Sequence, residues 1–399
     1  SGWGGCADAF SDKPEWADLN AEIRELLDDD EYTQARASTL TAYYTPGPVV
    51  KAMWDALDIG SAPIQVLEPG CGTGNFMAGI PENIKANVSG VELDPISARI
   101  AAALNPDATI LNADLADCTI HPGFDLTIGN VPYSGDISLD YRTTAGGTSR
   151  LPLHDYFIER SVDALRPGGV AMLLTSRYTL DKRSETMRAD LARKAELVGA
   201  VRLPSSTFAR QAGTEAVTDV LVLRRRERTL DRTPDEAWIH SNPVAVPGYQ
   251  DVTVNVNQAV ANDMTAHAVG DIRPVIGRFG GDFDVVFQGD AEQVGERLQE
   301  LLSTQITHGP ALSLGEAEPA GRAEITVRPD HVAPFEYSVD QRGVVWYGDG
   351  TTVTEIAHGQ GDEARRLRGM IRLRDLAGDP PQNPLYVRGK REQRPHPRA

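Results

Sequence analysis

The sequence predicts a doubly wound α/β protein, a parallel sheet with helices on both faces, and three observations predict it. Between Ile64 and Arg226, short β-branched runs alternate with helical ones, the pattern of a sheet built from crossover units. Two of the runs, Val66-Leu67-Glu68-Pro69-Gly70-Cys71-Gly72-Thr73-Gly74-Asn75-Phe76 and Phe124-Asp125-Leu126-Thr127-Ile128-Gly129-Asn130-Val131-Pro132-Tyr133, each read as an apolar strand ending abruptly in a small polar loop. The chain has 399 residues, 41% of them hydrophobic, enough for a buried core and for two or three domains.

The elements follow in order. Residues 14 to 36 read as one acidic helix, with Trp16, Leu19, Ile23, Leu26 and Leu27 at helical spacing and expected to pack on the main domain. After Thr41-Ala42-Tyr43-Tyr44-Thr45-Pro46 comes a second periodic stretch with Val49, Val50, Met53, Trp54 and Leu57, and Pro48 suits its first turn. Strands are expected at Ile64 to Leu67, Asn87 to Val91, Thr109 to Leu111, Leu126 to Ile128, Val170 to Leu174, Leu197 to Arg202 and Val217 to Leu223. Helices are expected at Gly74 to Gly79, Pro95 to Leu104, His154 to Leu165 and Asp181 to Lys194. Beyond Arg228 the texture changes. Residues 231 to 282 show no long periodic segment; a helix is expected from Ala291 to Leu302, strands at Ala323 to Val327 and Gly343 to Tyr347, and a helix at Asp362 to Leu376. The expected organisation is therefore a helical N-terminal extension (1–40), a catalytic α/β domain (41–228) and a smaller, irregular α+β C-terminal region (229–399).

The formal charge of −18 is unevenly spread. Residues 1 to 31 carry −8, whereas 177 to 228 carry +5 and 388 to 399 carry +4. The Lys/Arg-rich stretch from Arg177 and the region after Arg228 are thus the expected contacts for a phosphate backbone, which needs lysine and arginine. Cys6, Cys71 and Cys118 form no paired motif, and the eight histidines are not spaced as ligands, so neither a disulfide scaffold nor a metal is expected. The longest apolar stretch is far too short to span a bilayer and no basic-then-apolar leader opens the chain, so a cytoplasmic protein without a membrane partner is expected. A chain starting at Ser1 rather than methionine is expected to be processed or part of something larger.

In an open parallel sheet, ligands sit beyond the carboxyl ends of the strands, so the first loop is placed for a cofactor and the second for a substrate beside it. Gly70, Gly72 and Gly74 let backbone approach a ligand and supply amides at a helix start. Glu68 discriminates among glycine loops: an acid before the turn suits a cationic ligand and repels a pyrophosphate. Glu92 ends the next strand, 22 residues after Gly70, where an acid accepts hydrogen bonds from ribose hydroxyls. In the second loop, the Asn130 side-chain oxygen and a backbone carbonyl can hold the hydrogens of an aromatic amine and aim its lone pair. Tyr133 offers a flat surface to a base rotated out of a duplex. Ser176-Arg177-Tyr178, after another strand end, is placed to touch substrate phosphate.

The first run closely resembles the S-adenosylmethionine loop of class I methyltransferases, and Asn130-Val131-Pro132-Tyr133 resembles the (Asp/Asn)-Pro-Pro-Tyr loop of enzymes that methylate an exocyclic amine. The order, with Tyr-Thr-Pro ahead of both, is that of gamma-type DNA adenine-N6 methyltransferases. The resemblance narrows to the methylase portion of large methyltransferase-helicase proteins of phages and plasmids. Runs that carry it include Ala35-Arg36-Ala37-Ser38-Thr39-Leu40, Gly90-Val91-Glu92-Leu93-Asp94-Pro95 and Thr175-Ser176-Arg177-Tyr178-Thr179-Leu180-Asp181.

The resemblance implies a Rossmann-like class I sheet, S-adenosylmethionine as cofactor, and methyl transfer to N6 of adenine in DNA. It places Thr45, Pro46, Phe76 and Asp114 with Glu68, Gly70, Gly72, Gly74 and Glu92 around the cofactor, and Asn130, Val131, Pro132 and Tyr133 around the base. Val131 departs from the family, which usually has proline there. The relatives continue into a helicase; this chain has no Gly-x-x-x-x-Gly-Lys-(Ser/Thr) run, so a helicase partner must lie elsewhere. A protein-glutamine or RNA amino-methyltransferase, and a non-catalytic DNA-binding or anti-restriction module, stay open as alternatives.

Overall fold

The computed structural model describes residues 6–11, 13–39, 44–132, 138–144, 147–208, 216–277, 280–309, 312, 314–315, 323–327, 337–339, 344–348, 353–357 and 364–371. Its contacts divide the chain into Ser1–Ile325 and Thr326–Ala399.

The N-terminal segment is two helices, not the one expected: α1 (Ala17–Leu26) and α2 (Asp29–Ser38). The break is chemical. Asp28 accepts the Glu31 backbone N–H while the Glu31 side chain accepts the Asp28 N–H, a capping box hidden in the run of acids. Of the apolar residues expected to face the main domain, only Ile23 is buried, and it packs in a small local core with Phe10, Tyr32 and Ala35. Trp16, Leu19 and Leu26 are exposed.

From there α3 (Gly47–Asp55), with Pro48 in its first turn, leads into the sheet. The chain runs β1 (Ile64–Glu68), α4 (Asn75–Ala78), β2 (Ala86–Glu92), α5 (Pro95–Leu104), β3 (Thr109–Asn112), β4 (Cys118–His121) and β5 (Phe124–Asn130). It continues through β6 (Ser138–Arg142), β7 (Thr148–Pro152), α6 (Leu153–Ala164), β8 (Leu165–Ser176), α7 (Tyr178–Asp181), α8 (Thr186–Lys194), β9 (Ala195–Leu203) and β10 (Thr218–Arg225). The seven expected strands are seven neighbours in one sheet, ordered β3-β2-β1-β5-β8-β10-β9. All pairings are parallel except those of β10, which runs against both β8 and β9. The doubly wound α/β class is the one found. The helix expected at 181–194 starts late, as α8 at Thr186; Asp181 instead ends α7, and the chain leaves the helix at Lys182, whose backbone is extended.

Strand order reverses between β1 and β5, and that reversal opens the crevice at their carboxyl ends. Beneath it the core is continuous: Trp54 and Met53 of α3, Val66, Leu126, Ile128, Met172 and Val220 are essentially inaccessible. Each such aliphatic side chain contributes roughly 1.5–3 kcal/mol by its burial.

The segment without visible period contains two antiparallel hairpins, β11 (Ser241–Val246) with β12 (Tyr249–Asn257), and, after α9 (Gln258–Ala261), β13 (Asp271–Gly277) with β14 (Gly280–Val286). The helix expected from Ala291 extends to His308 as α10, capped by Asp290 and Gln293. It lies against α3, and Gly295 makes the approach possible: a Cβ there would stand 2.6 Å from the Pro48 carbonyl oxygen. β15 (Glu324–Val327) spans the point where the contacts divide. The second unit holds β16 (Tyr337–Val339), β17 (Val345–Gly348) and β18 (Val353–Ala357) as an antiparallel meander around a fully buried Trp346, then a helix at 364–371.

The basic stretch expected to meet DNA is largely internal. Among its described bases only Arg183 and Arg228 are exposed, while Arg177, Arg188, Lys194 and Arg202 are buried. Buried cations need partners: Arg188 donates to the Ile239, Thr179 and Lys182 carbonyls, and the others meet acids from several elements. Arg202 meets Asp181 at 2.6 Å and Asp219 at 3.2 Å, Lys194 meets Glu159 and Asp163, and Arg177 meets Asp282 at 2.6 Å. The local charge of +5 is therefore mostly spent inside the fold.

Candidate active site

A cavity of about 250 Å³ opens at the switch point. Three strand ends build it: β1 ends in Glu68, β2 in Glu92 and β5 in Asn130, and all three side chains line it. Glu68 and Asn130 come from neighbouring strands, paired at Val66–Leu126 and Leu67–Thr127. The Glu68 side chain lies against the residue before Asn130: a Cβ on Gly129 would touch its Cγ at 3.4 Å.

The glycine loop forms the floor. Gly72 has a φ of +53°, and a Cβ on it would press on the Tyr44 ring at 3.0 Å. At Gly70 the Phe157 ring and Pro132 converge, 3.3 and 3.7 Å from where a Cβ would stand. Gly74 faces elsewhere, towards Ala101 of α5 and Asn105 at its end, and precedes α4 with a φ of +84°.

Of the residues singled out from sequence, Thr45, Glu68, Gly70, Gly72, Phe76, Glu92, Asp114, Asn130 and Pro132 line the one cavity. Pro46, Gly74 and Val131 do not. Pro46 begins α3, its carbonyl accepting the Val49 and Val50 N–H groups. Val131 is buried, and its N–H donates to the Leu174 carbonyl at 3.0 Å. Tyr133 lies outside the described residues. Tyr44, Leu93, Asp94, Ser97, Leu153 and Phe157 line the cavity as well, and sequence reasoning did not assign them to it. Asp94 carried a usable signal: an acid before Pro95, it caps α5 by accepting the Ile96 and Ser97 N–H groups.

The charged residues lining the cavity, among those described, are all acids: Glu68, Glu92, Asp94 and Asp114. Glu68 is 2% exposed, and its Oε2 has no hydrogen-bond partner. Burial, then repulsion from Glu92, pushes its pKa well above the ordinary carboxyl value. Burial also raises Glu92, against the pull of the Asp94 and Gly72 amides. The buried Thr45 hydroxyl likewise has no partner. Burial pushes the Cys71 thiol well up, so it packs rather than reacts. Such a cavity favours a cation and disfavours a pyrophosphate.

Comparison with known proteins bears on this geometry. A family model described as N-6 DNA methylase matches residues 18–242, more than half of the chain. The chain is 29% identical over 219 residues to the "Defense against restriction protein B" of Escherichia phage P1, covering 52% of this chain and 9% of that protein. It is 29% identical over 168 residues to the type II methyltransferase M.XamI of Xanthomonas campestris pv. amaranthicola, covering 37% and 32%. Among solved structures, the M protein of the type I restriction enzyme EcoKI aligns over 75% of this chain and 79% of its own at 13% identity and a TM-score of 0.41. The chain thus spans a third or less of the length of these curated relatives.

Proposed function

The chain belongs to the N-6 DNA methylase family, whose cofactor is S-adenosylmethionine, and from that premise we propose that it transfers a methyl group to N6 of adenine in DNA. The observation that carries the reading is the meeting of Glu68 and Asn130, from adjacent strand tips, in one cavity. The residues fit the cofactor. The unpartnered, buried Glu68 Oε2 matches a cationic end, Glu92 the ribose, and the glycine floor leaves room where side chains would stand. Thr45 and Phe76 would flank the cofactor, with Asp114 at its adenine.

When bound, S-adenosylmethionine supplies an electrophilic methyl on a positively charged sulfur. Everything else is positioning by the chain. An aromatic amine is a weak nucleophile because its lone pair is delocalised into the ring. The Asn130 oxygen and a backbone carbonyl of the Asn130-Val131-Pro132 loop accept the two amine hydrogens, which favours a tetrahedral nitrogen with its lone pair aimed out of the ring plane. After transfer the nitrogen sheds one hydrogen as a proton to solvent; the two oxygens orient it but are too weakly basic to keep it. Phe157 and Pro132 meet over Gly70 in the wall of the cavity.

The test is incorporation of labelled methyl into unmethylated adenine-containing DNA by the wild type and by Asn130→Ala. Transfer by the wild type and its loss in the variant, with cofactor binding retained, are expected; no transfer by a cofactor-binding wild type overturns the reading. The name of the phage P1 relative favours a second reading, an anti-restriction module that keeps the fold without turnover, in which case Asn130→Ala leaves the biological effect unchanged. A helicase partner outside this chain belongs to the same proposal and rests on the family resemblance.

A further inference from the structure

We propose that Tyr178 is a stacking surface for a nucleobase beside the Asn130 loop, and that Arg177, itself packed on Phe283, holds its ring in place. The inference rests on the reading of the cavity as an adenine site.

Asn130 pairs with Leu174 on β8, and Tyr178 opens α7 four residues further on, at the same carboxyl edge. Lys182, directly after α7, is ion-paired with Asp155 of α6, and Leu153 and Phe157 of that helix line the cavity. The short helix is thus tethered to the wall of the substrate end.

Single exposed aromatics are ordinary on protein surfaces. What sets Tyr178, 50% exposed, apart is the structure built under it. The Arg177 guanidinium lies 4.4 Å from the Tyr178 ring centroid and 4.6 Å from that of Phe283. Its Nη2 donates to the Tyr178 hydroxyl at 2.9 Å and to both oxygens of Asp282 at 2.6 and 2.8 Å, while Nη1 reaches Asp181 at 3.4 Å. Arg177 is 6% exposed. These bonds occupy the guanidinium, so the run Ser176-Arg177-Tyr178 offers no free cation to a phosphate; it offers a braced ring. A braced aromatic face suits the π-face of a base, without preference for its identity. It also loses little conformational freedom when a base settles on it.

The test titrates the full chain and its Tyr178→Phe, Tyr178→Trp, Tyr178→Leu and Tyr178→Ala variants with a short oligodeoxyadenylate, an abasic oligomer of equal length, and sinefungin. Leu and Ala are expected to weaken oligodeoxyadenylate binding by about 10- to 100-fold, the size of one lost base stack. Phe and Trp should keep it, and abasic and sinefungin affinities should not move. Leucine has comparable bulk without a π-face, so if Ala fails to fold, Leu against Phe decides. Leu binding like the wild type, or Phe falling with Leu, overturns the proposal. A wild type that binds oligodeoxyadenylate through Tyr178 yet transfers no methyl overturns the proposed function and leaves the stacking role standing. A wild type that methylates equally well as Tyr178→Leu does the reverse.

Discussion

Glu92 closes the glycine loop from the neighbouring strand: its Oε2 accepts the Gly72 N–H at 2.8 Å, and its Oε1 accepts the Asp94 N–H at 2.8 Å. Each carboxylate oxygen keeps a further lone pair, so one side chain can shape the loop and still receive a ligand hydroxyl. Glu92→Gln turns one acceptor into a donor facing an N–H. Hydrogen bonds to charged groups contribute about 1.5–3 kcal/mol each. Sinefungin affinity measured by calorimetry should therefore fall on the order of 10-fold or more. An unchanged affinity would remove Glu92 from the cofactor site.

Glu68 sets stability against binding. Its pKa is raised by burial and by Glu92, so its contribution to stability is whole below the ordinary carboxyl value and is lost as pH rises through the raised one. Glu68→Gln removes that loss. The free variant should melt above the wild type at alkaline pH, with the gap closing as pH falls towards the ordinary carboxyl range. It should also bind S-adenosylmethionine more weakly, because the cation loses its counter-charge. Thermal melts across pH, paired with binding titrations, check both signs; a variant that gains stability and keeps full affinity would sever Glu68 from the ligand.

Much of this site was legible in the sequence because strand tips announce themselves. An apolar run must stop where its polar residue reaches the sheet edge, and Glu68, Glu92 and Asn130 are such stops. Phe157 was not legible as a cavity wall, because it arrives on α6, distant in sequence, and an aromatic at helical spacing looks the same in a core. The hairpins after β10 were hidden for another reason. Their buried alternation is only two residues long on each strand, Val254 and Val256 on β12 and Phe283 and Val285 on β14, too short to stand out in the sequence. Gly295 looks like a weak point in a helix, and only the Pro48 carbonyl beside it explains the residue. Charge counting misled most: residues 177 to 228 are net basic, yet pairing in space turns most of their cations inward.

That inward turn has a measurable consequence. Arg202 is fully buried between Asp181 and Asp219, and burial pushes Asp219 up to about 6 despite the nearby guanidinium. Arg202→Met strands the buried Asp219 carboxyl and leaves Asp181 with Arg177 and the Asn257 N–H, a cost of about 3–5 kcal/mol. The melting temperature should drop sharply. Within the temperature range where the variant stays folded, the slope of DNA affinity against salt should match the wild type, since no phosphate contact is lost. A shallower slope with an unchanged melting temperature would put Arg202 at the DNA surface after all.

Val131, where the resembling family usually has proline, has a physical reason to differ. Its N–H donates to the Leu174 carbonyl at 3.0 Å, which continues the β5–β8 pairing one residue past the strand end, and its side chain is 1% exposed. Proline has no N–H to give. Val131→Pro, although it restores the common motif, leaves a strand-edge acceptor unpaired at a cost of about 1–3 kcal/mol. The loop carrying Asn130 and Pro132 would lose its tether to β8. The variant should melt at lower temperature and, if transfer occurs, show reduced kcat with cofactor affinity unchanged, because the amine's acceptors shift while the glycine loop does not. Val131→Ala keeps the N–H and trims only packing, so it should retain the loop geometry. A proline variant as stable and as active as the wild type would show that the Leu174 contact does not position the substrate loop.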